Sequence, residues 1–129
     1  MRYCIHTELH QGILVAEVSG VRSAHETEVA EAAVDTWLRL AARCHEAGVE
    51  RMLVHIRLSG ALPTSATFAS IIYLGRISWD PALRIAVMDH GDQSRRATEF
   101  ACRMAASRGH QFAYFDDEAA AATWLSADA

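Results

Sequence analysis

The residues of this chain best suited to chemistry directly follow two apolar segments in its second half. Asp89 and His90 come after segment 84–88, and Asp116 comes after segment 111–115. A carboxylate next to a histidine is a pairing that general acid–base catalysis uses. However, the chain has no nucleophile elbow, glycine-rich nucleotide loop, P-loop, zinc-protease motif or Cys-x-x-Cys motif. The sequence therefore predicts no enzyme and no cofactor, and the alternative for His90 is a solvated or hydrogen-bonded turn residue.

Further polar side chains follow the preceding apolar segment. Arg57 lies near the end of segment 51–58, and Ser59, Thr64 and Ser65 come next. In open α/β sheets, ligands bind outside the carboxyl ends of the strands, so these residues and those after positions 88 and 115 are expected at one edge. Three residues of this edge are also suited to cap helix N-termini, namely Ser65, Asp92 and Asp116.

Arg95 and Arg96 lie where the next helix is expected to begin. Cations in the first turn oppose the positive end of the helix dipole, which costs up to about 1 kcal/mol. One interpretation is that they form surface ion pairs with nearby carboxylates, at Asp89, Asp92 or Glu99. The other is that they belong to an anion or partner site that also uses the helix N-terminus.

The chain has seven histidines, but their spacing does not predict a metal site. His6, Glu8 and His10 fall on one face of a predicted strand. Residues i and i+4 of a strand are about 13 Å apart, too far to share an ion, so an exposed polar face is the better interpretation. The other histidines are scattered among different predicted elements, at positions 25, 45, 55, 90 and 110.

Length and composition predict one globular domain spanning residues 1–129, since 51% of the residues are apolar. The net charge is −4 without a basic block, so nucleic acid is not expected as a partner. The first ten residues are too polar for a signal peptide, and no apolar stretch approaches the ~20 residues that span a bilayer. A cytoplasmic protein without a transmembrane segment is therefore expected. Cys4, Cys44 and Cys102 are expected to be reduced, packed thiols.

Hydrophobic periodicity predicts nine secondary-structure elements. Strands are predicted at Tyr3 to Leu9, Ile13 to Val18, Arg51 to Leu58, Leu83 to Met88 and Gln111 to Phe115. Four main helices are predicted: from a capping box of Ser23 and Glu26 to Gly48, from about Ser65 to Gly75, from Ser94 to Arg108, and from Glu118 to Leu125. This order gives an α/β fold with a mixed, mostly parallel five-stranded sheet. The last helix is expected to dock through Trp124 and Leu125 beside Phe115, Ile85 and Val87.

The element order and three motifs resemble those of the STAS or SpoIIAA-like superfamily. The motifs are HIRLSG at 55–60, RIAVMDHG at 84–91 and FDDEAAAATWL at 115–125. The last motif is similar to the pattern F-D-x-x-x-x-A-x-x-W-L of the poorly characterised SpoIIAA-like branch. The resemblance covers nearly the whole chain, and it implies a single SpoIIAA-like domain that acts as a non-catalytic regulatory or interaction module.

The anti-anti-sigma branch of that superfamily carries an Asp-Ser pair at the start of the helix after the third strand, and a partner kinase phosphorylates the serine. The aligned positions here are Ser65 and Ala66. The resemblance therefore does not transfer this phosphorylation switch to the chain. The hydroxyls of Ser65 and Thr67 flank the aligned serine and stay open as candidates.

The second predicted helix and the turn after it are more apolar than one face of a short helix requires. The residues concerned are Phe68, Ile71, Ile72, Tyr73, Leu74, Ile77 and Trp79. This helix is either wedged between neighbours, or part of a homodimer contact through residues 71–74, or the wall of a pocket beside Phe68 and Ile72. The sheet of the fold class also resembles that of the lipid-carrying CRAL-TRIO proteins. A carrier or sensor of a small hydrophobic or lipid-like ligand is thus the alternative to the interaction module.

The sequence predicts no catalytic and no metal-binding residue. The candidates for binding a ligand or a protein partner are Arg57, Ser65, Thr67, Phe68, Ile72, Asp89, His90, Arg95 and Arg96.

Overall fold

The computed structural model describes residues 3–77 and 79–127. Its strands are β1 (Cys4–His10), β2 (Ile13–Val21), β3 (Arg51–Ser59), β4 (Arg84–Asp89) and β5 (Gln111–Tyr114). Its helices are α1 (Glu26–Ala47), α2 (Thr64–Arg76), α3 (Arg95–Ser107) and α4 (Glu118–Ser126). The predicted α/β class, with five strands and four helices in this order, is confirmed.

The five strands form one mixed sheet in the order β1-β2-β3-β4-β5. β1 and β2 are antiparallel, and the other neighbours are parallel. The hairpin is closed by Gln11 and Gly12, whose φ angles are both positive, at 49° and 79°. Two-residue turns of this kind match the twist of the strands they join, and glycine adopts them without steric cost. Because β2 to β5 run parallel to one another, their carboxyl ends lie at one edge, as the sequence predicts.

The predicted helix caps are wrong by one or two residues. Pro63, with φ −65° and ψ 143°, precedes α2, so Ser65 lies inside the first turn and its hydroxyl donates to Glu26 at 2.8 Å. The residue that precedes α3 is Ser94 rather than the predicted cap Asp92, which lies in the turn before it. α4 is capped by Asp117, which accepts a bond from Ala120 N at 3.0 Å.

The capping box predicted for α1 does not form. The residue before the helix is His25, which makes no side-chain cap. The Ser23 hydroxyl donates to Glu28 at 2.8 Å and accepts from the backbone N–H of His25. The Glu26 carboxylate instead accepts from Ser65, so the box residues connect α1 to its neighbours.

Three helices cover one face of the sheet. Alternate strand residues, including Val54, Ile56 and Val87, pack against α1, α2 and α3 in a large apolar core. The intervening residues of the same strands face the other way, because side chains alternate along a strand. Two of these, Leu53 and Ala86, are covered by α4 in a second, smaller core.

α4 docks on the face opposite to the one predicted. Leu125 is fully buried and packs with Leu53, Ala86 and Met88, whereas Ile85 and Val87 belong to the three-helix core. Trp124 contacts Phe115, as predicted, with ring centroids 5.7 Å apart. The docking of α4 was thus predicted on the wrong face of the sheet. A shift by one position along a strand is enough for this, because neighbouring side chains point to opposite faces.

Two of the three cysteines are packed as predicted. Cys44 and Cys102 are buried, and burial raises the pKa of Cys44 to about 11 and that of Cys102 to about 12. Cys4 is exposed, so the prediction of a packed thiol is wrong there. It lies on the open face of the edge strand β1, while its neighbour Ile5 faces the core. In the described part of the chain, no helix is both long and apolar enough to cross a membrane.

Candidate ligand-binding site

A cavity of about 100 Å³ lies in the core between the sheet and the three helices that cover it. Its wall is mostly apolar, and every covering helix contributes to it. The apolar residues around it include Leu40 of α1, Val54 and Ile56 of β3, Leu74 of α2, Cys102 of α3 and Phe112 of β5. Small-molecule sites in proteins are concave and mostly apolar, with a few polar groups that orient the ligand.

Small side chains leave this space. Ala33 of α1, Ser70 of α2, and Ala101 and Ala105 of α3 all line the cavity. Protein interiors are normally packed to the density of organic crystals, and leucine-sized side chains at these positions would occupy the space. The helices are therefore held apart without their own residues filling the volume between them.

Arg22 is the cation of the cavity wall. It follows β2 at the carboxyl edge and is only 8% exposed. Its Nη1 donates to the carbonyl of Gly60 at 3.0 Å, but its Nε and Nη2 form no hydrogen bond with a described residue. Burial lowers the pKa of Arg22, and the negative charge of Asp89 partly opposes that shift. The guanidinium still stays charged, since free arginine titrates above pH 12.

Trp79 brings a second polar group to the cavity wall. It is 7% exposed, and its Nε1 has no hydrogen-bond partner, the one side-chain atom of the described residues that is buried without one. Its indole ring lies against Phe112, with centroids 5.9 Å apart. An unsatisfied buried donor costs about 1–3 kcal/mol, so its presence in a native core requires an explanation.

The threonine and serine hydroxyl groups of the wall are already engaged as donors. Thr36 donates to Ala32 O, Thr67 to Pro63 O, Ser70 to Thr67 O and Thr98 to the Asp89 carboxylate. None of the described residues that line the cavity is Asp or Glu. The cavity therefore combines a long apolar wall with the Arg22 cation and the unpaired N–H of Trp79, and the Tyr3 hydroxyl and the His110 ring also line it.

Asp89 stabilises the turn between β4 and α3. It is 4% exposed and accepts bonds from Gly91 N at 2.8 Å, from Ser94 Oγ at 2.9 Å and from Thr98 Oγ1. Gly91 is required here because a Cβ would lie 2.9 Å from the carbonyl oxygen of Leu58. The bonds that the Asp89 carboxylate accepts from described residues thus come from its own turn and from α3.

His90 and Arg57 lie on the opposite face from Asp89. His90 Nε2 is 2.9 Å from His55 Nδ1, and the two rings stack with centroids 5.2 Å apart. Arg57 Nε is 3.2 Å from Glu17 Oε1, and Arg57 and His90 line an open groove. Burial, followed by the charge of Arg57, lowers the pKa of His90. Asp89, His90 and Arg57 therefore do not converge on one cavity.

The other predicted site residues are spread around the molecule. Thr67 is buried in the cavity wall, while Phe68 is 46% exposed beneath the Arg108 guanidinium and Ile72 is half-buried. Arg95 donates to Asp89 O at 3.3 Å and pairs with Asp92 at 3.5 Å, and Arg96 is exposed. Ser65 is exposed in the first turn of α2.

Sequence reasoning missed two polar residues of the cavity wall, Arg22 and Trp79. The available signal for Arg22 was its position at the carboxyl end of β2, at the edge where polar residues were expected. Trp79 was treated only as part of an apolar segment. Burial of an arginine cannot be inferred from an exposed-looking sequence such as VRSAHE at 21–26.

In the ranges 3–77 and 79–127, no group of three His, Cys, Asp or Glu side chains is placed to hold a metal ion. Glu8 lies between His6 and His10, at 3.4 Å and 3.2 Å from their Nε2 atoms, on an exposed strand face. Comparison of the chain with protein-family models and with curated proteins finds no match to either.

Proposed function

We propose that this protein is a non-catalytic sensor or carrier module whose core cavity binds a small apolar or amphipathic molecule. The observation that carries the proposal is the cavity of about 100 Å³ between the sheet and α1, α2 and α3. Empty apolar cavities of similar size stay dry and bind small hydrophobic molecules such as benzene. A ligand here would recover the contacts that the small residues of the wall do not make.

A STAS-like or SpoIIAA-like identity is part of this proposal. It is supported by the five-stranded mixed sheet, by the helix order and by the motifs at 55–60, 84–91 and 115–125. Such domains act in regulation through contacts with other proteins, and the resemblance implies the same class of role here. The ligand would then be the input of the module.

α2 supplies a route from ligand to protein partner. Its inner face contributes Thr67, Ser70 and Leu74 to the cavity, and its outer face exposes Phe68 and Tyr73 by 46% and 49%. A ligand in the cavity would displace the inner face of α2. Because a helix moves as a rigid unit, the exposed side chains on its outer face would move with it. The second candidate function, a regulatory interaction module, is favoured by these exposed aromatic side chains.

The dimer predicted from residues 71–74 now rests on fewer side chains. Ile71 and Leu74 are 7% and 5% exposed and pack inside the single chain, which leaves Ile72 and Tyr73 for an external contact. Sedimentation equilibrium at micromolar concentration tests the dimer, with Tyr73→Ser together with Phe68→Ser as the disrupting variant. A monomeric wild type would rule the dimer out, and a dimer insensitive to the variant would place its interface elsewhere.

The cavity is tested by filling it. Ala33→Leu adds a side chain to the cavity wall, and Ala42→Leu makes the same change at an exposed position of the same helix. We expect saturating toluene to raise the melting temperature of the wild type and of Ala42→Leu, since a ligand bound only to the folded state stabilises it. Ala33→Leu should not respond. An equal response of both variants, or no response of the wild type, would contradict the proposal.

A further inference from the structure

We infer that the ligand of the core cavity is a small carboxylic acid, with its carboxylate held by Arg22 and its hydrocarbon part in the apolar space. The inference rests on the proposed function, and it adds the charge, the head group and the size of the ligand. It depends on what surrounds Arg22 and Trp79 and on the volume between the helices.

The charge of Arg22 is not balanced by a nearby carboxylate. Among the described residues, none of the ion pairs within 4.0 Å involves Arg22. Asp89 acts on it at longer range, but the Asp89 oxygens accept from Gly91, Ser94 and Thr98. A buried cation is costly unless it is paired, so a monovalent anion in the cavity would offset that cost.

The guanidinium also has the geometry that a carboxylate requires. Only Nη1 of Arg22 donates to a described residue, the carbonyl of Gly60, which leaves the edge formed by Nε and Nη2. Arginine typically binds carboxylates through two parallel N–H···O bonds along such an edge. A neutral alcohol or a hydrocarbon would leave these donors without an anionic partner.

The rest of the wall favours a ligand that accepts hydrogen bonds over one that donates them. Trp79 Nε1 is a buried donor without a partner, and no acidic side chain is found among the described lining residues. The threonine and serine hydroxyls of the wall donate to protein oxygens, at Ala32, Pro63, Thr67 and Asp89, while the Tyr3 hydroxyl can donate to a ligand as well as accept from one. A ligand that carries acceptor oxygens matches this inventory, and an amine does not.

The cavity volume limits the hydrocarbon part. About 100 Å³ is of the same order as the roughly 150 Å³ of an engineered cavity that holds benzene, and only the hydrocarbon part of the ligand has to fill it, because the carboxylate lies beside Arg22 in the wall. A short-chain or single-ring acid fits this volume, whereas a long-chain fatty acid does not. One arginine balances one negative charge, so a monocarboxylate is also favoured over a doubly charged phosphate ester.

The test uses benzoate and its neutral analogue benzamide, titrated by calorimetry into the purified full chain at pH 7. We expect benzoate to bind at least about tenfold more tightly than benzamide. Arg22→Met, which keeps an apolar stem but removes the charge, should abolish this preference. Arg103→Met, which changes an exposed arginine of α3 outside the cavity, should leave it unchanged.

The outcomes separate the inference from the proposed function. If benzamide and toluene bind as tightly as benzoate, or if Arg22→Met keeps the preference, the carboxylate assignment is wrong while the cavity function stands. If none of the three probes binds the wild type, both fail. If Arg22→Met does not fold, the comparison of benzoate with benzamide on the wild type decides alone.

Discussion

The two sides of the sheet each contain an arginine and a tryptophan, but they use them in opposite ways. On the α4 side, Arg84 donates through Nε and Nη2 to the carbonyl of Trp124 and through Nη1 to Gln111. Its guanidinium also lies 4.0 Å from the centre of the Trp124 ring. On the three-helix side, Arg22 makes one such bond, and Trp79 Nε1 makes none.

Under the proposed function, this difference separates a structural arginine, Arg84, from a ligand-binding one, Arg22. The donors of Arg84 are used to hold α4 on the sheet, and the core beneath it is closed by Leu125. By contrast, Nε and Nη2 of Arg22 and Nε1 of Trp79 have no hydrogen-bond partner among the described residues. Polar groups that folding does not satisfy are candidates for binding, because a ligand can satisfy them.

The largest expected effect tests whether the α4 side is a true core. Leu125 is fully buried, so Leu125→Ala should lower the free energy of unfolding by about 2–5 kcal/mol in a urea titration. Leu38→Ala, at an exposed leucine of α1, is the matched control and should cost far less. A loss below about 1 kcal/mol for Leu125→Ala would mean that α4 is peripheral.

The next effect compares the two arginines directly. Arg84→Met should destabilise the ligand-free protein by about 1.5–3 kcal/mol, because it removes charge-assisted bonds to Trp124 and Gln111. Arg22→Met should cost less than about 1 kcal/mol or stabilise, since a buried cation with one bond is replaced by an apolar side chain. The reverse order in thermal or urea unfolding would make Arg22 the structural arginine.

A smaller effect concerns His90, on the face of the sheet that α4 partly covers. Burial and the charge of Arg57 lower the folded-state pKa of His90 from its usual 6.5. The unfolded chain therefore binds this proton more readily, and the stability contribution is present above pH 6.5 and lost as the pH falls below it. We expect urea stability to fall between pH 7 and pH 5, and His90→Gln to flatten that fall. An unchanged slope in His90→Gln would assign the effect to another group.

The smallest effects are expected at the start of α3. Arg96 is exposed and opposes the helix dipole, so Arg96→Ala should leave stability within about 0.5 kcal/mol of the wild type. Arg95→Ala should cost slightly more, because Arg95 donates to the carbonyl of Asp89. A marked drop in melting temperature for Arg96→Ala would show that this arginine is part of the packing.

Much of the polar edge at the carboxyl ends of the strands could be predicted from the sequence, because the residues that end each apolar segment are local information. The apolar segments that become β3, β4 and β5 each end in polar residues, so Arg57, His90 and Asp116 were expected at one edge, and the parallel pairing places those strand ends together. The residues that cap the helices were predicted less accurately. A shift of one residue, as from Asp116 to Asp117, changes which side chain reaches the helix N-terminus.

The sequence by itself determined the elements and their order, since the periodicity of apolar residues and the turn residues act over a few neighbouring positions. Only the tertiary structure decided that α4 covers Leu53 and Ala86, and that Arg22 and Trp79 meet the same cavity. Those outcomes depend on residues far apart in the chain. Burial, and whether a donor is left unpaired, are properties of the packed assembly and not of any local segment.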